Sequence, residues 1–273
     1  MIKLYDVDKL CDEKAGVGAF KLTFLGTGTS TGVPEIGCQC AVCTSDDVRN
    51  RRLRVSVLCE IGDVRILIDC GPDFREQMLR VPFGRLDGVL LTHEHYDHTG
   101  GIDDLRPFCR FGDIDIFADN LTCTHLRERL PYFFYEVLYP GVPRLHFHTV
   151  HPFEPFLVQG VTVVPIQVMH GKLPILGYRI GDKLGFITDM LSAPQETYQA
   201  LQGVETLIVN GLRHHQHGSH QTIADAIAFA REIGARETYL IHMSHEAGLH
   251  AETELLLPPH VHLAYDGLEV QVS

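Results

Sequence analysis

The chain has 273 residues, 45% of them hydrophobic, and a net charge of −12. That length can bury the core of one large domain or two small ones, and the acidic balance speaks against a broad surface for nucleic-acid backbones, which needs a surplus of Lys and Arg. The opening MIKLYDVDKLCDEKAGVGAF is charged and has no continuous apolar stretch, and no run in the chain reaches the length of a membrane span, so a cytoplasmic setting is expected.

Residues 1–20 read as an N-terminal arm and 21–273 as one domain. FKLTFLGTGTSTGVP predicts a strand and then a turn rich in Gly, Ser and Thr. No Gly-Lys-Ser/Thr follows, so this is a structural turn rather than a phosphate-binding P-loop. GCQCAVC comes next, with Cys38, Cys40 and Cys43 spaced C-x-C-x-x-C. In RNRRLR, Arg49, Arg51, Arg52 and Arg54 form the densest positive charge. They read either as a phosphate-binding or field-focusing group at a site mouth or as a solvated strand edge. VSVLCEIGDVRILIDC gives two strands around a Gly-Asp turn, and DFREQMLRV a short helix. LDGVLL is a buried strand that runs into THEHYDHTGG. IDIFA is a strand. Residues 121–139, with PYFFYEV at their centre, read as a wall or lid over a site, whose rings stack on a base or sugar or pack in a dimer.

LHFHTV, VTVVPIQVMH, LGYRI and LGFITD are further strands. PQETYQALQ predicts a short helix and ETLIVNGL a strand. SHQTIADAIAFAREIG is a helix with Ser219 or His220 near its start and Gly234 as its stop. ETYLIHMSH is a strand, AETELLLP a helical turn or two, and VHLAYDGLEVQV a closing hairpin. Cys59, Cys70, Cys109 and Cys123 lie in apolar segments and read as inert core thiols, with Cys11 the exception. The chain shows no short-period repeat. The pattern is that of an α/β domain with mixed or antiparallel sheets, in which His-rich residues fall just after strand ends.

His93, His95, Asp97 and His98 spell H-x-H-x-D-H. Imidazole and carboxylate together suit Zn, Mn or Fe better than Mg or Ca. Four ligands in six residues cannot all reach one small ion from a regular strand, but a loop can divide them between two ions a few Å apart. Two ions need further ligands. His170, Asp189 and His242 each end an apolar strand. Singly, each could be a satisfied core histidine or a turn aspartate; their shared order and placement favour ligation. The three thiolates of Cys38, Cys40 and Cys43 want a fourth ligand for a tetrahedral zinc, and His245 is the candidate.

This set, from about Lys21 onward, resembles the metallo-β-lactamase superfamily. The resemblance implies a four-layer αββα sandwich. It implies that His93, His95 and His170 hold one metal, that Asp97, His98 and His242 hold the other, and that Asp189 bridges them. Asp69, in LIDCGPD, matches a carboxylate that supports the metal loop from behind. LGTGTSTGVPEIGCQCAVC, HMSH and AYDGLEV further resemble the PhnP-type phosphodiesterases. That likeness implies a structural zinc on Cys38, Cys40, Cys43 and His245, in a loop near 37–44. It also implies that a histidine in LRHHQHGSHQTIADA gives a proton to the leaving oxygen. His220 is the best positional match and His217 the second; His214 and His215 read as solvated.

The function expected is therefore a phosphodiesterase with two divalent ions, Zn or Mn, in which metal-bound hydroxide attacks a small phosphodiester such as a cyclic ribose phosphate. A homodimer is implied by the same resemblance. A tRNA 3′-processing endonuclease is the alternative, opposed by the acidic charge and the short, weakly basic 121–139 stretch. A PqqB-like binding role is opposed by the complete ligand set, and a thioesterase or lactonase by the cysteine loop.

Overall fold

Alternating apolar residues build two sheets whose inner faces meet. The computed structural model describes residues 19–135 and 141–272. The first sheet holds β1 (Phe20–Gly26), β2 (Ser56–Ile61), β3 (Val64–Ile68), β4 (Gly88–Leu90), β5 (Ile114–Ala118) and β6 (Leu145–Thr149). The second holds β7 (Phe156–Val158), β8 (Val161–His170), β9 (Leu173–Ile180), β10 (Leu184–Phe186), β11 (Thr206–Asn210), β12 (Glu237–Ile241) and β13 (Val261–Leu263). A last strand, β14 (Glu269–Val272), returns to the first sheet beside β1. Both sheets are antiparallel at one end and parallel at the other: β14–β1–β2–β3 against β3–β4–β5–β6, and β7–β8–β9–β10 against β10–β11–β12–β13.

Between the sheets lie Leu22, Phe24, Val57, Ile66, Leu90, Val163, Leu176, Tyr178, Phe186 and Ile241. The parallel strands are buried on both faces, which is why they read as continuous apolar runs. Outside the first sheet pack α1 (Phe74–Met78), a 3-10 stretch over Ile102–Phe111 and α3 (Asn120–Arg129). Between α1 and that stretch, α2 (Tyr96–Thr99) begins within the histidine loop. Outside the second sheet pack α4 (Gln195–Leu201) and α5 (Ile223–Ile233), and α6 (His250–Glu254) lies against β13. The result is the expected αββα sandwich. Among the described residues no helix is long and apolar enough to cross a membrane.

One side chain ties the two sheets beneath the histidine loop. Tyr178 of β9 is fully buried, and its hydroxyl donates to the Leu91 carbonyl at 2.6 Å. The Leu176 N–H donates to the Thr92 carbonyl at 2.9 Å. The strand that delivers His93 is thus pinned from the opposite sheet.

Several expectations are corrected. VHLAYDGLEVQV is not a hairpin: β13 pairs with β12, while β14 pairs with β1 across the sandwich. The crossing segment turns at Gly267, with φ 88°, and its N–H donates to the Phe24 carbonyl. Helix α5 starts later than SHQT suggests. Thr222 caps it, in a reciprocal pair with Asp225, and Gly234 ends it in the left-handed conformation. The helix expected over AETELLLP ends at Glu254 and leaves Leu255 and Leu256 exposed. Within 121–135, three of the rings pack into the fold, while Tyr135 is exposed. Phe133 is buried, and Tyr132 and Phe134 pack on the same outer core, with Arg127 over the Phe134 ring. Positions 136–139 of that segment and the arm over 1–18, with Cys11, lie outside the described residues. Cys59, Cys70 and Cys123 are buried as expected, whereas Cys109 is partly exposed.

Candidate metal centre

The candidate ligands of the paired centre lie at strand ends or in the loops that follow them. The loop after β4 carries His93, His95, Asp97 and His98, and it fits only because Gly71 lacks a side chain: a Cβ there would stand 2.0 Å from the Asp97 carbonyl. His170 closes β8. Asp189 follows β10, and His242 follows β12. Asp69, Asp189 and His242 have φ of 59°, 56° and 54°. Left-handed backbone at a non-glycine residue costs on the order of 1–3 kcal/mol and persists where surrounding structure enforces it, as it does at functional sites.

Ligand atoms of His93, His95 and His170 lie within 4.8 Å of one another, as do those of Asp97, His98, Asp189 and His242. Asp189 also groups with His170 and His220, so it stands between the two sets. The His98 Nε2 is 3.1 Å from Asp97 Oδ2 and 3.1 Å from Asp189 Oδ2. The His242 Nε2 is 3.1 Å from Asp189 Oδ1 and 3.6 Å from Asp97 Oδ2.

The tautomers follow from what the far ring nitrogens touch. His98 Nδ1 donates to Asp69 Oδ2 at 2.7 Å. His170 Nδ1 lies 3.0 Å from the carbonyls of Asp189 and Ser219. His93 Nδ1 lies 3.0 Å from the Thr92 hydroxyl, which itself donates to Asp69. Each Nδ1 therefore carries a proton, and each Nε2 turns toward the centre. The buried Nε2 atoms of His98 and His242 have no hydrogen-bond partner despite the carboxylates beside them. Buried polar atoms are nearly always paired, and imidazole and carboxylate atoms that converge without hydrogen bonding fit a shared cation.

The charges say the same. Burial works against the ionised forms of Asp97 and Asp189, yet the neighbouring imidazoles hold both carboxyls below the usual range. Burial likewise opposes a charge on His98, but Asp97, Asp189 and Asp69 hold its pKa well above the ordinary value. Two carboxyls held ionised beside these imidazoles give the group a place for positive charge. Asp69 is fully buried, and burial raises its carboxyl despite His98. The Thr92 N–H also donates to it at 2.8 Å. This is the supporting position expected from the sequence, and Thr92, which the sequence did not single out, belongs with it.

The two proton-donor candidates differ. His220 is 8% exposed, and burial lowers its pKa to about 3 against the pull of Asp189, 3.6 Å from its Nδ1. His217 is exposed, and the Ser219 N–H donates to its Nδ1 at 3.3 Å, which leaves the proton of the neutral ring on Nε2. His215 is exposed, as read. His214 is not simply solvated: its Nε2 lies 3.1 Å from the Ala247 carbonyl.

The cysteine loop closes on the far side of the same turn. Ligand atoms of Cys38, Cys40, Cys43 and His245 lie within 4.8 Å of one another. His245 Nδ1 is 3.3 Å from both Cys38 Sγ and Cys40 Sγ. The Cys43 N–H and then His245 bring the Cys40 thiol down to about 6, while burial pushes Cys43 up to about 11. His242 and His245 thus face opposite ways from one turn. Met243, between them, bonds to Thr27 and Thr29 of the glycine turn, whose role is structural.

The arginines divide between the fold and solvent. Arg49 pairs with Asp47, and Arg54 with Asp73 at 2.9 Å. Arg52 is buried and donates to the Thr27 hydroxyl and the Ala264 carbonyl. These three cations are spent on the fold, and Arg51 alone of the four is exposed.

The sequence matches the Beta-lactamase superfamily domain over residues 64–243. It is 50% identical over 252 residues to a Porphyromonas gingivalis protein named Octanoyltransferase, a match that takes in 91% of this chain and 51% of that protein. The chain spans about half or less of the curated relatives it matches. Its structure resembles that of a diphosphatase from the PhnP family, with a TM-score of 0.87 and 38% identity over 94% of this chain and 98% of the other. Zinc-bound PqqB from Methylobacterium extorquens shares the fold, with a TM-score of 0.74 and 19% identity over 92% and 99% of the two chains. With the sandwich, the convergent histidines and aspartates and these matches together, the chain belongs to the metallo-β-lactamase superfamily.

Proposed function

We propose that the chain is a dinuclear metal-dependent phosphodiesterase acting on a small phosphodiester, in the class that includes cyclic ribose phosphates. The observation that carries this reading is that His98 Nε2 and His242 Nε2 converge on the carboxylates of Asp97 and Asp189 with no hydrogen-bond partner of their own, while Asp69 holds the His98 Nδ1 proton. The likeness to a PhnP-family diphosphatase supports attack at phosphorus.

His93, His95 and His170 would hold one divalent ion, Zn or Mn, and Asp97, His98 and His242 the other, with Asp189 shared. When bound, such a pair activates a water and neutralises charge on the phosphoryl oxygens. The chain's own residues then do three things. Asp69 and Thr92 fix the rings of His98 and His93. Tyr178 and Gly71 hold the loop against both sheets. His220 or His217 meets the leaving oxygen; a neutral His220 gains basicity once a phosphoryl anion lies beside it. Cys38, Cys40, Cys43 and His245 would hold a structural zinc. One domain over 21–273 and a cytoplasmic setting, where thiols stay reduced, belong to the same reading. The pairing of three of the four arginines with acids and fold atoms speaks against a tRNA-gripping surface.

The test is metal-dependent hydrolysis of bis(p-nitrophenyl) phosphate, followed by cyclic ribose phosphates. A second reading rests on the 50% identity to the Porphyromonas protein named Octanoyltransferase, about half of which this chain covers: the same centre would then act on an octanoyl group. Hydrolysis of an octanoyl thioester, with no turnover of the phosphodiester, would select it.

A further inference from the structure

We propose that Glu35 is the positioning residue of the Cys38, Cys40, Cys43 and His245 group, holding its histidine in the metal-binding tautomer. The inference rests on the zinc reading of that group given above. A neutral imidazole has one N–H and one lone pair. His245 turns Nδ1 to the sulfurs, so the lone pair must be there and the proton on Nε2. Nε2 lies 3.1 Å from Glu35 Oε2, so the carboxylate accepts that proton's hydrogen bond. Nothing in the motif C-x-C-x-x-C announces this residue, which lies three positions before the first cysteine.

Glu35 touches the loop at two more points. Its N–H donates to Cys43 Sγ at 3.4 Å, and its carbonyl accepts from the Cys38 N–H at 3.0 Å. One residue therefore contacts the first cysteine, the last cysteine and the histidine. The ligand spacing fits a tetrahedral ion: zinc distances of about 2.05 Å to nitrogen and about 2.3 Å to sulfur place those atoms roughly 3.5 Å apart, close to the 3.3 Å observed. A carboxylate behind a metal-bound histidine fixes its ring and raises its basicity, and losing one typically lowers metal affinity by about 10–100-fold.

The test uses the full, zinc-loaded chain and follows zinc transfer to a chromogenic chelator. Glu35→Ala should release this zinc about tenfold or more faster than wild type, while Glu35→Gln, which still accepts from Nε2–H, should restore much of the retention. Nitrogen-15 spectra of the His245 ring should show an Nε2 proton protected in the wild type and exchanging faster in Glu35→Ala. A wild-type release rate in Glu35→Ala, with the ring proton unchanged, overturns the role. If Cys38→Ser leaves zinc content at the wild-type level, the zinc reading itself fails and the Glu35 role falls with it.

Discussion

Replacing Asp69 by Asn isolates what the buried carboxylate does for the metal centre. Asn has nearly the same volume and tolerates the left-handed backbone at φ 59°, so packing and backbone are preserved. Its carbonyl can still accept the Thr92 N–H, now 2.8 Å from Asp69 Oδ1. Its amide then faces His98 Nδ1, which at present donates to Oδ2 at 2.7 Å. Two donors cannot share that contact. His98 must shift its proton to Nε2, the atom that points at Asp97 and Asp189. A ring protonated there cannot ligate. The expected result is a loss of about 10–100-fold in affinity for one of the two catalytic ions, equivalent to about 1.4–2.7 kcal/mol. Calorimetric titration of metal-free protein with Mn or Zn should show one site weakened and the other kept, with thermal stability of the metal-free form little changed. Two sites of undiminished affinity in Asp69→Asn would refute the tautomer reasoning.

Three further outcomes follow from the structure. Tyr178→Phe leaves the Leu91 carbonyl without its 2.6 Å donor; a buried group so deprived costs about 1–3 kcal/mol, to be read from the urea midpoint, and an unchanged midpoint would mean the sheets are not tied there. Gly71→Ala forces a Cβ against the Asp97 carbonyl, and overpacking of about 1–3 kcal/mol or more should appear as a lower melting temperature together with reduced metal content. Asp266 accepts from Leu53 N–H and Thr27 hydroxyl, and burial pushes its pKa up to about 6. The folded state thus binds this proton more tightly than the unfolded chain, so its contribution to stability is fullest below about pH 4 and falls as pH rises to about 6. The change amounts to at most about 3 kcal/mol. Asp266→Asn should flatten that part of the stability profile, and identical slopes for the two proteins would remove Asp266 from the account.

The convergent set of histidines and aspartates was legible because its signals are local: an apolar strand followed by His or Asp needs no knowledge of tertiary structure. The strands alone pointed to a mixed α/β domain; the four-layer sandwich came from the resemblance of the ligand pattern to the metallo-β-lactamase superfamily. Where pairing partners are distant, sequence was silent. The segment from Val261 to Val272 has the local pattern of a hairpin, and only the open edges of β12 and β1, in different sheets, separate its two strands. The arginines looked available because their acids, Asp47 and Asp73, are recognisable as partners only once loop and helix are folded. His217 and His220 share a motif, and only the fold separates them: His220 is buried beside Asp189 and His170, and His217 is exposed. Thr92, Tyr178 and Glu35 act through neighbours that the fold brings to them.

The most direct measurement is metal content by mass spectrometry on the same preparation assayed with bis(p-nitrophenyl) phosphate, before and after chelation and after added Mn or Zn. The account predicts about three ions per chain, turnover lost with the two chelatable ions, and turnover restored by their return. A chain that binds only the cysteine-loop zinc, or one that turns over the diester equally well without metal, would contradict it.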